Sequence, residues 1–295
     1  MAILTGTPEA DTLTGGNAAD LILGRGAGDR LTGLQGSDTI LGGPGDDAIN
    51  GDFPFLGPYI PPAGEGNLLL GGGSNDTVTA GLGADTLLGG AGNDVLRGGI
   101  IDSLSGFLEG GAGTNYTDDR ADLILGGAGQ DLLDGANGSD TLFGGAGDDT
   151  LIGARGTDLL AGGRGHDVFV FAREAGIFGG PDTGVGPGMR DVILDFRQGQ
   201  DLIDLSRLAF AFGMPAGGDR PQPVFLGECE FAASPALQVR VVMEDAVTIV
   251  QFATGPGAAD PDAGAVPPAG PLGEPLGEIE LIGRYHLGAA DFILA

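Results

Sequence analysis

Gly144-Gly145-Ala146-Gly147-Asp148-Asp149-Thr150-Leu151-Ile152 decides the reading of this chain. A glycine turn closes on an aspartate, and three residues follow with a large apolar one in the middle. Gly42-Gly43-Pro44-Gly45-Asp46-Asp47-Ala48-Ile49-Asn50 is the same unit far upstream. Around these copies an aspartate returns every nine residues. The runs are Asp11, Asp20, Asp29, Asp38 and Asp47, then Asp76, Asp85 and Asp94, then Asp122, Asp131, Asp140, Asp149, Asp158 and Asp167. One or two such turns would show only that aspartate favours turns. Fourteen in three runs without a slip mark a repeat architecture.

Two residues after each aspartate position stands a large apolar side chain: Leu13, Ile22, Leu31, Ile40, Ile49, Leu69, Val78, Leu87, Leu96, Ile124, Leu133, Leu142, Leu151, Leu160 and Phe169. Side chains alternate across a strand, so this residue faces one way and its neighbours the other. Each unit thus reads as a six-residue turn and a three-residue strand. Two units make a coil with two parallel strands back to back. A single coil cannot bury its apolar face, but a stack can. The expected fold is all-β, a parallel roll over residues 1–170.

Turns alternate between the two sides, so aspartates two units apart stack: Asp11 over Asp29, Asp20 over Asp38, Asp131 over Asp149. Two carboxylates and several turn carbonyls can then converge on one cation. Hard oxygen donors in that number suit Ca²⁺ better than Mg²⁺, which keeps its water and demands an octahedron. The chain has two histidines and one cysteine, too few for a zinc cluster.

The ladder breaks twice. Asp47 and Asp76 are not a multiple of nine apart. An insertion of Phe53 to Ala63 restores the register and puts Asn67 in the aspartate position. A second insertion falls near 100–120. With both treated as loops, the outward third strand residues split by parity. One sheet carries Thr14, Thr32, Asn50, Thr79, Arg97 and Asp134, then Ile152 and Val170. The other carries Leu23, Leu41, Leu70, Leu88, Leu125, Phe143 and Ala161. An apolar row that long is unusual on a soluble monomer. Cover from the insertions, from the C-terminal segment or from a partner, by self-association or through a surface or glycan ligand, is expected.

The repeat resembles the nonapeptide of the RTX (repeats-in-toxin) family over residues 6–170. The resemblance implies a right-handed, calcium-dependent β-roll, secreted by a type I apparatus that reads a C-terminal signal. The turns starting at Gly15, Gly24, Gly33 and Gly153 depart from the family glycine pattern, which implies weak or empty sites there. After Val170 the repeat stops. Asp191-Val192-Ile193-Leu194-Asp195-Phe196-Arg197-Gln198-Gly199-Gln200-Asp201-Leu202-Ile203-Asp204-Leu205-Ser206 resembles the C-terminal β-sandwich of serralysin-type proteases. That implies a second domain over 171–295 with a terminal export signal, and a further Ca²⁺ at Asp191, Asp195 and Asp201.

Composition narrows the function. Acidic residues outnumber basic ones 41 to 13, for a net charge of -28. Nucleic acid and anionic membranes are therefore unfavourable partners. No apolar run approaches the ~18 residues that span a bilayer, and no secretory leader is visible at the N-terminus. His166 and His286 lie far apart, so the His-Glu-x-x-His protease centre is missing, as is Gly-x-Ser-x-Gly. Both histidines read as surface residues. Cys229, between Glu228 and Glu230, reads as a buried or inert thiol. The leading expectation is a non-enzymatic, secreted calcium-binding module for adhesion, structure or export. A relative of a secreted enzyme of serralysin or alginate-epimerase type, without its catalytic domain, is the alternative. A glycan- or ice-binding sheet is a third reading, hinted at by Thr12, Thr14 and Thr32.

Overall fold

A computed structural model of the chain describes residues 1–52, 66–81, 83–99, 120–172, 183–211, 223–231, 237–254 and 275–294. Each nonapeptide supplies one short strand, and successive strands join opposite sheets. The first sheet stacks Ile3–Thr5, Leu21–Leu23, Thr39–Pro44, Leu68–Gly73, Thr86–Ala91, Leu123–Ala128, Thr141–Ala146, Leu159–Arg164 and Asp191–Ile193. The second stacks Thr12–Thr14, Arg30–Thr32, Ala48–Asn50, Thr77–Thr79, Val95–Arg97, Leu132–Asp134, Thr150–Ile152, Val168–Val170 and Leu202–Asp204. The pairings are parallel and set equivalent residues side by side, Leu142 against Leu160 and Leu133 against Leu151. The chain is an all-β parallel roll.

The central residue of each strand makes the core. Ile22, Leu31, Ile40, Leu69, Leu87, Leu96, Ile124, Leu133, Leu142, Leu151 and Leu160 have no accessible surface. Burying a side chain of that size contributes about 1.5–3 kcal/mol. Leu4 and Leu13, in the first coil, are only partly buried because no coil covers them. Both breaks keep the alternation of sheets. Leu68–Gly73 pairs with Thr39–Pro44 on one side and Thr86–Ala91 on the other. Leu123–Ala128 pairs with Thr86–Ala91, and Leu132–Asp134 with Val95–Arg97. The insertions expected at 53–63 and near 100–120 lie outside the described residues, but for Arg120.

Both sheets run on past Val170. Gly277–Ile282 adds a strand parallel to Asp191–Ile193, and Phe292–Ile293 one parallel to Leu202–Asp204. Beyond Gly277–Ile282 the first sheet turns antiparallel through Val247–Thr254 and Leu237–Glu244, and ends on Val224–Gly227. One apolar core spans the passage, with Phe169, Phe171, Ile193, Phe196, Ile203, Phe252 and Leu281 in it. Arg190 pins the antiparallel part to the roll. Its Nε donates to Glu278 at 2.6 Å, and its Nη1 lies 3.3 Å from Glu244 and 3.5 Å from Glu280. Burial would raise the Glu278 carboxyl, but donors from Gly186, Arg190 and Gln251 outweigh it and hold its pKa down.

The outer faces follow the parity rule only in part. Leu23, Leu41, Leu70, Leu88 and Leu125 are half-buried and Ala161 is buried, whereas Phe143 is 39% exposed. Leu68, Leu123 and Leu159 extend the apolar face and are exposed as well. On the second sheet Val170 is buried. The short helix Ser206–Ala211 brings Arg207 near enough to Asp134 to oppose the rise in pKa that burial causes there.

Candidate metal sites at the two edges

The turns fall on two edges. On the first edge they lead from the first sheet to the second and end on Asp11, Asp29, Asp47, Asp76, Asp94, Asp131, Asp149, Asp167 and Asp201. On the second edge they lead back and end on Asp20, Asp38, Asn67, Asp85, Asp122, Asp140, Asp158 and Asp191. Side chains equivalent in the repeat stack, as the parallel register requires.

One oxygen of each carboxylate ties the coils together. The N–H of Asp131 donates to Asp149 Oδ1 at 2.9 Å, and that of Asp149 to Asp167 Oδ1 at 3.0 Å. The second edge repeats this from Asp122 to Asp140 and from Asp140 to Asp158, each at 2.8 Å. Across the first break the N–H of Asp38 donates to Asn67 Oδ1 at 2.9 Å. The ladder reaches past the repeats, from Asp158 to Asp191 Oδ1 and from Asp167 to Asp201 Oδ1.

The other oxygen has a different fate. The Oδ2 atoms of Asp29, Asp47, Asp76, Asp94, Asp131, Asp149, Asp158 and Asp167 are buried and accept no hydrogen bond. A buried acceptor without a partner costs about 1–3 kcal/mol, more when charged. Burial raises the pKa of Asp47, Asp76, Asp94, Asp131, Asp149, Asp158 and Asp167. Burial pushes Asp76 and Asp149 up to about 7, Asp131 to about 6 and Asp158 to about 7. For Asp149 the N–H from Asp131 works against the rise, and the charges of Asp131, Asp167 and Asp148 add to it.

These oxygens line small cradles that exist because the first turn residue is glycine. A Cβ on Gly144 would stand 2.5 Å from Asp149 Oδ2 and 2.7 Å from the carbonyl oxygen of Gly162 in the next coil. On Gly126 it would meet Asp131 Oδ2 at 2.5 Å and the Gly144 carbonyl at 2.6 Å. Carboxylate and carbonyl oxygens from adjacent turns thus face one niche. A hard divalent cation fits this donor set and would satisfy the bare Oδ2 atoms.

The turn backbone holds its shape even where glycine is lost. Leu34, Ala136 and Ala154, second in their turns, have φ of 82°, 71° and 63°. Arg25, Ala27 and Ser74 on the first edge are left-handed too. The departing turns at Gly24, Gly33 and Gly153 therefore keep left-handed residues, at a strain of roughly 1–2 kcal/mol per non-glycine residue, whereas the Gly15 turn has none.

Three features of the site were not legible beforehand. Asp191, Asp195 and Asp201 do not converge, since Asp191 ends a second-edge turn and Asp201 a first-edge one. Asp195 stands where a turn would begin. Its two oxygens accept the N–H groups of Gly162 and Gly163 at 3.0 and 2.9 Å, closing the ladder in place of another coil's carbonyls. The fifth turn position builds a second ladder on the first edge. The N–H of Asn75 donates to Asp46 Oδ1, that of Asn93 to Asn75 Oδ1, and that of Gln130 to Asn93 Oδ1, at 2.9, 2.7 and 2.8 Å. His166 continues it through its N–H to Asp148 Oδ1 at 2.8 Å. The small polar residues there were the only signal. His166 and His286 are exposed, and so is Cys229, contrary to the buried placement that was one reading of it.

A parallel roll with oxygen-lined cradles between stacked turns defines a class of ion-binding repeat protein. The family model of the RTX calcium-binding nonapeptide repeat matches residues 3–29, 23–53, 64–100, 116–151 and 134–169, the segments that build the roll, and supports an RTX-type repeat there. No curated protein matches the chain. Among solved structures it is similar to the AlgE6R2 subunit of the Azotobacter vinelandii mannuronan C5-epimerase, at 24% identity and a TM-score of 0.33, covering 60% of this chain and 89% of that one. The AlgE6R3 subunit of the same enzyme is 26% identical with a TM-score of 0.23, covering 62% and 84%. The fold rests on the strand ladders themselves rather than on these likenesses. No helix among the described residues is long and apolar enough to cross a membrane.

Proposed function

We propose that this chain is a secreted, non-enzymatic roll that binds Ca²⁺ between stacked turns and folds as it does so. The buried, unpartnered Oδ2 atoms on the first edge carry the reading. Without a cation each is a desolvated acceptor crowded by like charges. With one, its negative charge and its lone pairs are both satisfied. Calcium binds the folded arrangement and not the dispersed turns, so it adds stability by linkage. The same logic separates compartments: low cytosolic calcium leaves the acidic chain expanded, and calcium outside folds it after export. The tail's resemblance to serralysin-type export signals supports the type I route and a C-terminal signal. Asp195 acts here as a cap rather than a ligand, and adhesion or structure is the role left to the assembled roll.

Circular dichroism and calcium titration of the full chain test this together. The expected result is an unfolded spectrum in EDTA, a β spectrum on adding Ca²⁺, and binding of several ions per chain. A roll that forms fully in EDTA at pH 8 and takes up no Ca²⁺ overturns the proposal.

A further inference from the structure

One turn in the ladder offers a donor where its neighbours offer an acceptor. In the first-edge turns from Gly6 to Asp167, and at Asp158, the aspartate Oδ2 lies against the opening glycine of its own turn. At Gly51 the atom in that place is Asn67 Nδ2, 2.6 Å from where a Cβ would stand. The amide orientation follows from its partner. Asn67 Oδ1 accepts the N–H of Asp38 at 2.9 Å, so the NH₂ group must face the cradle. Asn67 is itself buried, and its N–H donates to Asp85 Oδ1 at 2.5 Å, so the backbone ladder passes through this coil unbroken.

We infer that Asn67 is a built-in gap in the second-edge series of calcium sites. It preserves the hydrogen-bonded stack of coils and turns two amide hydrogens into a niche where a cation would otherwise sit. The ion pathway on this edge divides into a short run below, at Asp20 and Asp38, and a longer run above, from Asp85. The first edge has an aspartate at every coil and no such division. The gap also coincides with the turn in which Gly51 and Gly66 are separated by the first insertion. A turn that clamps no ion need not close at the fixed length that a shared ion imposes, so the inserted residues cost nothing in metal binding there.

This inference rests on the calcium reading above, and its test separates the two. Bound calcium per chain is measured by equilibrium dialysis and calorimetry for wild type, Asn67→Ala, Asn67→Asp and Asp76→Ala. Asn67→Ala is expected to leave the stoichiometry unchanged. Asn67→Asp is expected to raise it by at least one ion per chain. Asp76→Ala, at the corresponding place on the first edge, is expected to lower it by one or two. Loss of an ion in Asn67→Ala overturns the inference, since it makes the amide a ligand. An unchanged count in folded Asn67→Asp overturns it as well. If that variant does not fold, Asn67→Ala against Asp76→Ala decides. Absence of calcium binding by wild type defeats the calcium reading itself.

Discussion

Along the first edge, from Gly42 to Asp167, the second turn residue is always glycine: Gly43, Gly72, Gly90, Gly127, Gly145 and Gly163, each with positive φ. Along the second edge Leu34, Ala136 and Ala154 take the same conformation under strain. The first edge has an aspartate at every coil and a second ladder of Asp46, Asn75, Asn93 and Gln130 outside it. The second edge has Asn67, and both insertions enter its turns. Two halves of one repeat, built at one spacing, have therefore diverged in chemistry. A turn that shares an ion with the next must keep its length, its donors and its cradle. The Asn67 turn, which on this reading holds no ion, needs only its backbone path and one N–H acceptor.

The largest effect expected is from calcium itself. EDTA should abolish the cooperative melting transition of the full chain at neutral pH, and millimolar Ca²⁺ should restore it. Next is the loss of a shared carboxylate. Asp149→Ala removes the acceptor for the Asp131 N–H and an oxygen facing a cradle. We expect a loss of about 1–3 kcal/mol from the buried N–H alone, plus reduced calcium binding. Asn67→Ala loses only the former. Equal calcium titrations for these two variants would break the distinction between the edges.

Acidity should act through the same oxygens. In the metal-free roll burial raises several ladder carboxyls above the ordinary aspartate value, to about 7 for Asp76 and Asp149. Between pH ~4 and ~7 the folded state then holds protons that the unfolded state has released, so stability falls as pH rises through that window. Metal-free protein should therefore show more β structure by circular dichroism at pH 4.5 than at pH 7.5. Calcium should reverse that order, because protons compete with it for the cradles. A β signal in EDTA that grows as pH rises would contradict the structure.

Smaller effects probe the turns. Gly144→Ala places a methyl in the cradle without altering charge and should lower calcium affinity. Gly73→Ala, whose added Cβ meets nothing within 4 Å, should be within about 0.5 kcal/mol of wild type. Smallest of all, Leu34→Gly should relieve left-handed strain and stabilise the calcium-loaded roll by about 1 kcal/mol, measured as a rise in melting temperature.

How much could be read beforehand differs between fold and site. The nine-residue recurrence specified the strand, the core residue and the sheet of each unit, because a parallel stack repeats its contacts at a fixed interval. Leu13 shows the limit: its unit is like the rest, but it is only partly buried, because burial depends on neighbouring coils and not on the unit. Asn67 was correctly aligned with the aspartates, and its register role followed. Which atom it turns to the cradle did not follow, since that depends on the Asp38 N–H one coil away. Asp195 had the pattern of a ligand and serves as a cap, because both oxygens meet N–H groups of a coil more than thirty residues earlier.

The period, the acidic ladder and the apolar centre of each unit thus belong to the chain itself, since they express local geometry repeated at constant spacing. Only the stacked structure assigns each carboxylate oxygen to a hydrogen bond or to a cradle. It also joins the segment after Val170 to the same two sheets, and places both insertions in turns of the second edge. Those decisions depend on contacts between coils, which no single unit contains.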